Sequence, residues 1–159
     1  MTYIKINVTA NPDQFGNVRA TLSGFKEKGR DLTVPFKRGS QVMLASISRN
    51  FRSGGRPTPW KPLSFKYFTR KISQGYSPIP LTRTGRLQAS VTGLAETKRL
   101  RMGTSIVYGR IHQFGGLAGK KRSARIPARP YLIFQKQDLR DIERLIVEHL
   151  TGGKIGRQS

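Results

Sequence analysis

Proton transfer and metal binding draw mostly on histidine and carboxylate, and this chain holds few of either. His112 and His149 are its two histidines, and 8 of its 159 residues are Asp or Glu. General acid–base catalysis needs titratable groups held together with separated pKa values. Glu96 is the one acid in the central part of the chain, so no carboxylate dyad can form there. Asp13, Glu27 and Asp31 lie near one end, and Asp138, Asp141, Glu143 and Glu148 near the other, where they read as solvated helix faces. His112 stands in an apolar run with no second ligand nearby and reads as a structural histidine, while His149 reads as a cation at a helix terminus. Nothing in the spacing indicates a Ser–His–acid triad. Cysteine is absent, which removes thiolate nucleophiles, disulfides and sulfur-rich zinc sites. Neither a G-x-x-x-x-G-K-[ST] loop nor a strand followed by G-x-G-x-x-G is present. The chain therefore reads as a non-enzyme with no cofactor and no metal.

Binding is the chemistry that remains. Lys and Arg number 30, for a formal charge of +22, far beyond what solubility requires. Nucleic acid, a membrane surface or an acidic protein face would offset it. Arg52, Arg56, Lys61, Lys66, Arg70 and Lys71 interleave with Trp60, Phe65, Tyr67 and Phe68. That mixture suits phosphate neutralisation with stacking on bases, and equally suits aromatics that dock a long loop on the core while the charges face water. Lys120, Lys121, Arg122, Arg125 and Arg129 form a second cluster, without aromatics, suited to phosphate or to an acidic neighbour, or merely to solvent. Both clusters are candidate partner or DNA contacts.

The elements that must carry these residues follow from periodicity. Ile4, Ile6 and Val8 alternate with polar residues as in a strand. Phe15, Val18, Leu22 and Phe25 recur at helical spacing after Pro12, and Gly29 ends that helix. A second helix is predicted over 34–51, with Phe36, Met43, Leu44, Ile47 and Phe51 on one side and Gly54-Gly55 after it. Residues 52–83 read as a long connection without periodicity. A short helix is expected over 82–89, then a hairpin of strands 91–94 and 99–102 turning at Glu96-Thr97, then a strand or helical turn over 106–114. Gly115-Gly116 opens a basic loop to residue 125, and a last strand is expected over 131–134. The final helix, 137–150, carries Leu139, Ile142, Leu145, Ile146 and Leu150 on one face and ends at Gly152-Gly153.

This order predicts an α+β domain, helices packed on a small antiparallel sheet with long basic loops, over residues 1–153, with 154–159 a flexible tail. The first eleven residues carry neither a basic leader nor an apolar stretch, and no run approaches the ~18 apolar residues of a membrane span. A soluble protein without membrane partners is expected.

Several blocks, taken in order, carry a resemblance. They are Phe51-Arg52-Ser53-Gly54-Gly55-Arg56-Pro57-Thr58-Pro59-Trp60-Lys61-Pro62-Leu63-Ser64, Leu81-Thr82-Arg83-Thr84-Gly85-Arg86-Leu87, Met102-Gly103-Thr104, Tyr108-Gly109-Arg110-Ile111-His112-Gln113-Phe114-Gly115-Gly116 and Ile126-Pro127-Ala128-Arg129-Pro130-Tyr131-Leu132. Together they resemble the phage virion morphogenesis family, the tail completion proteins of Mu-like phages, over about residues 36–150. Gly109 departs from the alanine expected there, and the loop 117–125 is unusually basic.

The resemblance implies a subunit of the tail end or head-tail neck, made in the host bacterial cytoplasm and built into the virion. It implies a ring of identical copies touching other neck or tail proteins, with nonspecific contact to packaged DNA open. A sequence-nonspecific nucleic-acid binder is the alternative. On the resemblance, Trp60 pins the long loop and Gly85 permits a tight backbone approach. Tyr108, His112 and Gly115 belong to the framework. Pro127 and Pro130 bound an extended edge segment suited to subunit pairing, from which Arg129 would meet an acid on a neighbour's C-terminal helix.

Overall fold

The computed structural model describes residues 12–153. The strand expected around Ile4, Ile6 and Val8 and the tail 154–159 lie outside the described residues. Helix α1 spans Pro12–Lys28 and helix α2 Thr33–Ser53. The apolar spacing along α2 decides the fold. Phe36, Met43, Ile47 and Phe51 fall on one side of it and are buried, and Leu44 packs against them. Burying side chains of this size stabilises a fold by ~1.5–3 kcal/mol each.

Two layers close over that stripe. Helix α6, Lys136–Thr151, packs along α2 and buries Ile142. A hairpin of β1, Val91–Ala95, and β2, Leu100–Thr104, packs on α2 beside it. Its strands are antiparallel, with Val91 opposite Thr104 and Ala95 opposite Leu100. Between α2 and β1 the chain forms helix α3, Phe65–Ser73, and the short helix α4, Arg86–Ala89. After β2 come helix α5, Gly109–Phe114, and a second hairpin of β3, Gly116–Ala118, and β4, Ala124–Ile126. A 3-10 turn, Lys120–Arg122, makes its tip. The architecture is α+β, with two separate two-stranded antiparallel sheets.

Four expectations need correction. The stretch 52–83 is not structureless, because α3 lies inside it. The basic loop after Gly115-Gly116 is a hairpin, each strand three residues long, too short for period-two alternation to announce it. No strand forms over 131–134. The flanking Pro127 and Pro130 lack the N–H that a ladder needs, and the segment's polar backbone atoms bond elsewhere, as described below. Leu139 of α6 faces outward, as do Leu22 and Phe25 of α1, so those helical faces are only partly core.

Candidate functional site

The route from α2 to α3 is held by a buried polar network. Ser46 and Asn50 of α2 are fully buried one turn apart. The Ser46 hydroxyl donates to Asp138 Oδ2 at 2.6 Å and accepts from Arg56 Nη2 at 2.9 Å. Arg56 also donates to the Ser46 carbonyl and to Asn50 Oδ1, at 2.8 and 2.9 Å. Asp138 is 1% exposed and closes a capping box, accepting from the Gln135 backbone N–H at 2.9 Å. Asp138 is therefore not part of a solvated helix face. Arg56 is likewise a half-buried organiser of the core rather than a free cation.

Trp60 fastens the next part of the loop. It is buried edge-on against Phe51, with ring centroids 5.6 Å apart, and its indole N–H donates to the Pro130 carbonyl at 2.8 Å. The segment 129–132 is thereby consumed within its own chain. Gln113 Oε1 accepts from the backbone N–H groups of Tyr131 and Leu132, its Nε2 donates to the Leu132 carbonyl, and Asn50 Nδ2 donates to that of Tyr131. The Arg129 N–H reaches the His112 carbonyl at 2.7 Å. A side-chain amide thus stands where a neighbouring strand would pair, which removes the expected edge for subunit pairing.

These anchors set two walls of a groove of about 890 Å³. Lys61, Pro62, Leu63, Ser64, Tyr67 and Lys71 line one side. Leu81, Arg83, Thr84 and Leu87 line the floor and rim, and Tyr108, His112, Arg125, Ile126, Pro127 and Arg129 the other side. No Asp or Glu takes part. The two basic clusters of the sequence therefore meet across one concavity.

Not all their members arrive there. Arg52, Lys66, Lys120, Lys121 and Arg122 are exposed outside the groove, the last three at the hairpin tip, while Arg70 lines a smaller hollow beside it with Tyr67 and Arg83. Lys71 and Arg129 reach the groove as buried side chains, 3% and 6% exposed. Lys71 Nζ donates to the Ile79 carbonyl at 2.6 Å, and burial, then the nearby Arg83, lowers its pKa. Arg129 donates from Nε and Nη2 to the carbonyls of Lys61 and Pro62, at 2.8 and 3.0 Å. It is sunk in the wall and does not extend toward a neighbour's C-terminal helix.

Of the framework residues, Tyr108 stacks edge-on with His112, their centroids 5.8 Å apart, and Gly115 follows α5 against the Ala128 backbone. Gly85 does not permit a tight approach. A Cβ there would meet nothing within 4 Å, and glycine is required because its φ is +69° at the entry to α4. Sequence reasoning missed Ser46, Asn50 and Gln135, and gave Gln113, Ser64, Arg83 and Thr84 no role of their own beyond the family blocks, while Tyr67 was read as a stacking or docking aromatic. Their partners are remote in sequence, and no local spacing marks them.

His112 gives the groove a pH response. Burial, then the charge of Arg129, lowers its pKa below the ordinary 6.5, and its Nδ1 is buried without a hydrogen-bond partner. The folded state thus binds a proton less readily than the unfolded chain. This contribution is fully present above about pH 6.5 and is lost as pH falls through the folded value. Denaturant midpoints at neutral and mildly acidic pH should fall on acidification, and should fall less for His112→Gln.

Gly109 at the start of α5 has a packing reason for its missing side chain. A Cβ would lie 2.7 Å from both Thr104 Cγ2 and the Tyr131 hydroxyl. Gly109→Ala is expected to cost ~1–3 kcal/mol in urea unfolding, with part of the loss recovered by adding Thr104→Ser.

Residues 13–151 match the phage virion morphogenesis family. The chain belongs to that family. It is similar to the "Mu-like prophage FluMu G protein 2" of Haemophilus influenzae (strain ATCC 51907 / DSM 11121 / KW20 / Rd), at 44% identity over 101 residues. That match covers 64% of this chain and 65% of the relative's length. No solved structure matches. As a family member the chain has a role in phage virion morphogenesis. Among the described residues no helix is long and apolar enough to cross a membrane.

Proposed function

We propose that this protein is a structural, non-catalytic subunit of the tail end or head-tail neck, which completes the tail or joins it to the head by oligomeric assembly. The family match across residues 13–151 carries this reading. The geometry supports it. The large groove holds one histidine and no carboxylate, so neither a carboxylate dyad nor a histidine–carboxylate pair lies in it. On this reading identical copies form a ring and contact other neck or tail proteins, and the exposed cations of the hairpin tip face an anionic neighbour or packaged DNA.

Deleting the gene from an inducible prophage and imaging the lysate tests it. Heads and tails that fail to mature or to join are expected; normal infectious particles would overturn it. The exposed cluster Lys120, Lys121 and Arg122 favours a second reading, nonspecific binding to nucleic acid. A steep salt dependence of DNA binding by a protein that never assembles would support that one instead.

A further inference from the structure

The groove wall contains an electrostatic imbalance. Lys71 and Arg129 are both more than nine-tenths buried, and the partners given to their charged groups are backbone carbonyls. Lys71 uses one of three N–H donors in this way, and Arg129 two of five. Burying a cation is costly without a counter-charge, and the groove lining supplies none. The rim adds the exposed cations Lys61, Arg83 and Arg125, while Leu81 and Leu87 give it an apolar floor and Leu63 an apolar stretch of wall.

We propose that this groove receives an acidic, extended polypeptide segment of another virion protein. Its carboxylates would meet the rim cations and its apolar side chains the leucine floor. The proposal rests on the virion reading only for the origin of the partner. Three observations select this occupant. The volume and the mixed apolar and cationic lining suit a short stretch of chain. Duplex DNA is a rigid rod whose phosphates are met by protruding cations, as at the hairpin tip, and it cannot reach an apolar floor. A second copy does not supply such a strand, because no extended segment of this chain carries more than one acid.

His112 lines the groove and His149 lies elsewhere, hydrogen-bonded near Asp31, so the two histidines report binding by NMR with a built-in control. A short synthetic peptide alternating glutamate with leucine, its glutamine counterpart and a short DNA duplex are each titrated into the full chain at ~0.15 M salt. The acidic peptide is expected to move the His112 resonances and leave those of His149, and the glutamine counterpart to bind about tenfold weaker or less. Arg83→Glu with Arg125→Glu should weaken the acidic peptide about tenfold or more, whereas Arg52→Glu with Arg140→Glu, the same change in net charge away from the groove, should leave it within about twofold.

An unmoved His112 would overturn the proposal. Equal weakening by both double reversals would overturn it too, as attraction by net charge alone, and so would displacement of the peptide by the duplex with a shift at His112. Normal particles from the gene deletion would remove the virion reading and leave the peptide result standing.

Discussion

Asp138→Ala is expected to destabilise the protein by ~3 kcal/mol or more, among the largest effects of any single substitution at a polar position. Its carboxylate accepts from the fully buried Ser46 hydroxyl and from the partly buried Gln135 N–H. A buried donor left unsatisfied costs ~1–3 kcal/mol, and loss of the N3 half of the α6 capping box adds up to ~1 kcal/mol. The consequence spreads, because Ser46 also holds Arg56, and Gln135 Nε2 reaches the Arg56 carbonyl at 3.0 Å. Asp138→Asn keeps one acceptor oxygen and should lose markedly less. Urea midpoints of the two variants and the parent check the order. Equal losses for Ala and Asn would mean that the charge itself, facing Arg49 at 3.9 Å, matters more than the hydrogen bonds.

Trp60→Ala should cost ~3–5 kcal/mol, the range for emptying a buried aromatic site. Its ring sits edge-on to Phe51, whose ring also meets Tyr131 with centroids 5.6 Å apart, so the cavity opens within the core cluster. The Pro130 carbonyl also loses its donor. Trp60→Phe retains part of the apolar contact but loses the N–H and the bulk of the second ring, and should cost less than the alanine variant. The alanine variant has a second expected effect. Lys61 and Pro62, whose carbonyls hold Arg129, follow directly on Trp60, so the groove wall should loosen even at temperatures where the fold survives. Hydrogen exchange of the Arg129, Tyr131 and Leu132 amides measures this separately from global stability.

Much of the scaffold was legible because its signals are local. Phe36, Met43, Ile47 and Phe51 are spaced as a helix face and are buried as one. The turn at Glu96 lies between two strands as expected, with Glu96 paired to Arg99 and Arg101. Helix α3 escaped notice because its orientation is reversed. Phe65, Phe68 and Ile72 look outward while Lys71 points in, so hydropathy misreads which face is buried. The site was legible as two charge clusters and not as one groove. Their convergence depends on Trp60 reaching Pro130 and Arg129 reaching Lys61, contacts across 70 and 68 residues that no window of sequence contains. Arg83 stands apart from either cluster and so was not read as a contact residue.

The link between Ser46 and Asp138 also sets a schedule. The two residues are separated by 92 positions, and at ~5–20 residues per second a ribosome takes ~5–20 s to pass from one to the other. Through that interval the apolar side of α2 has been made and α6, one of the two layers that cover it, has not. The nascent chain must keep that face from sticking to its neighbours, and the dense positive charge already emerging on residues 52–71 supplies the mutual repulsion that does so.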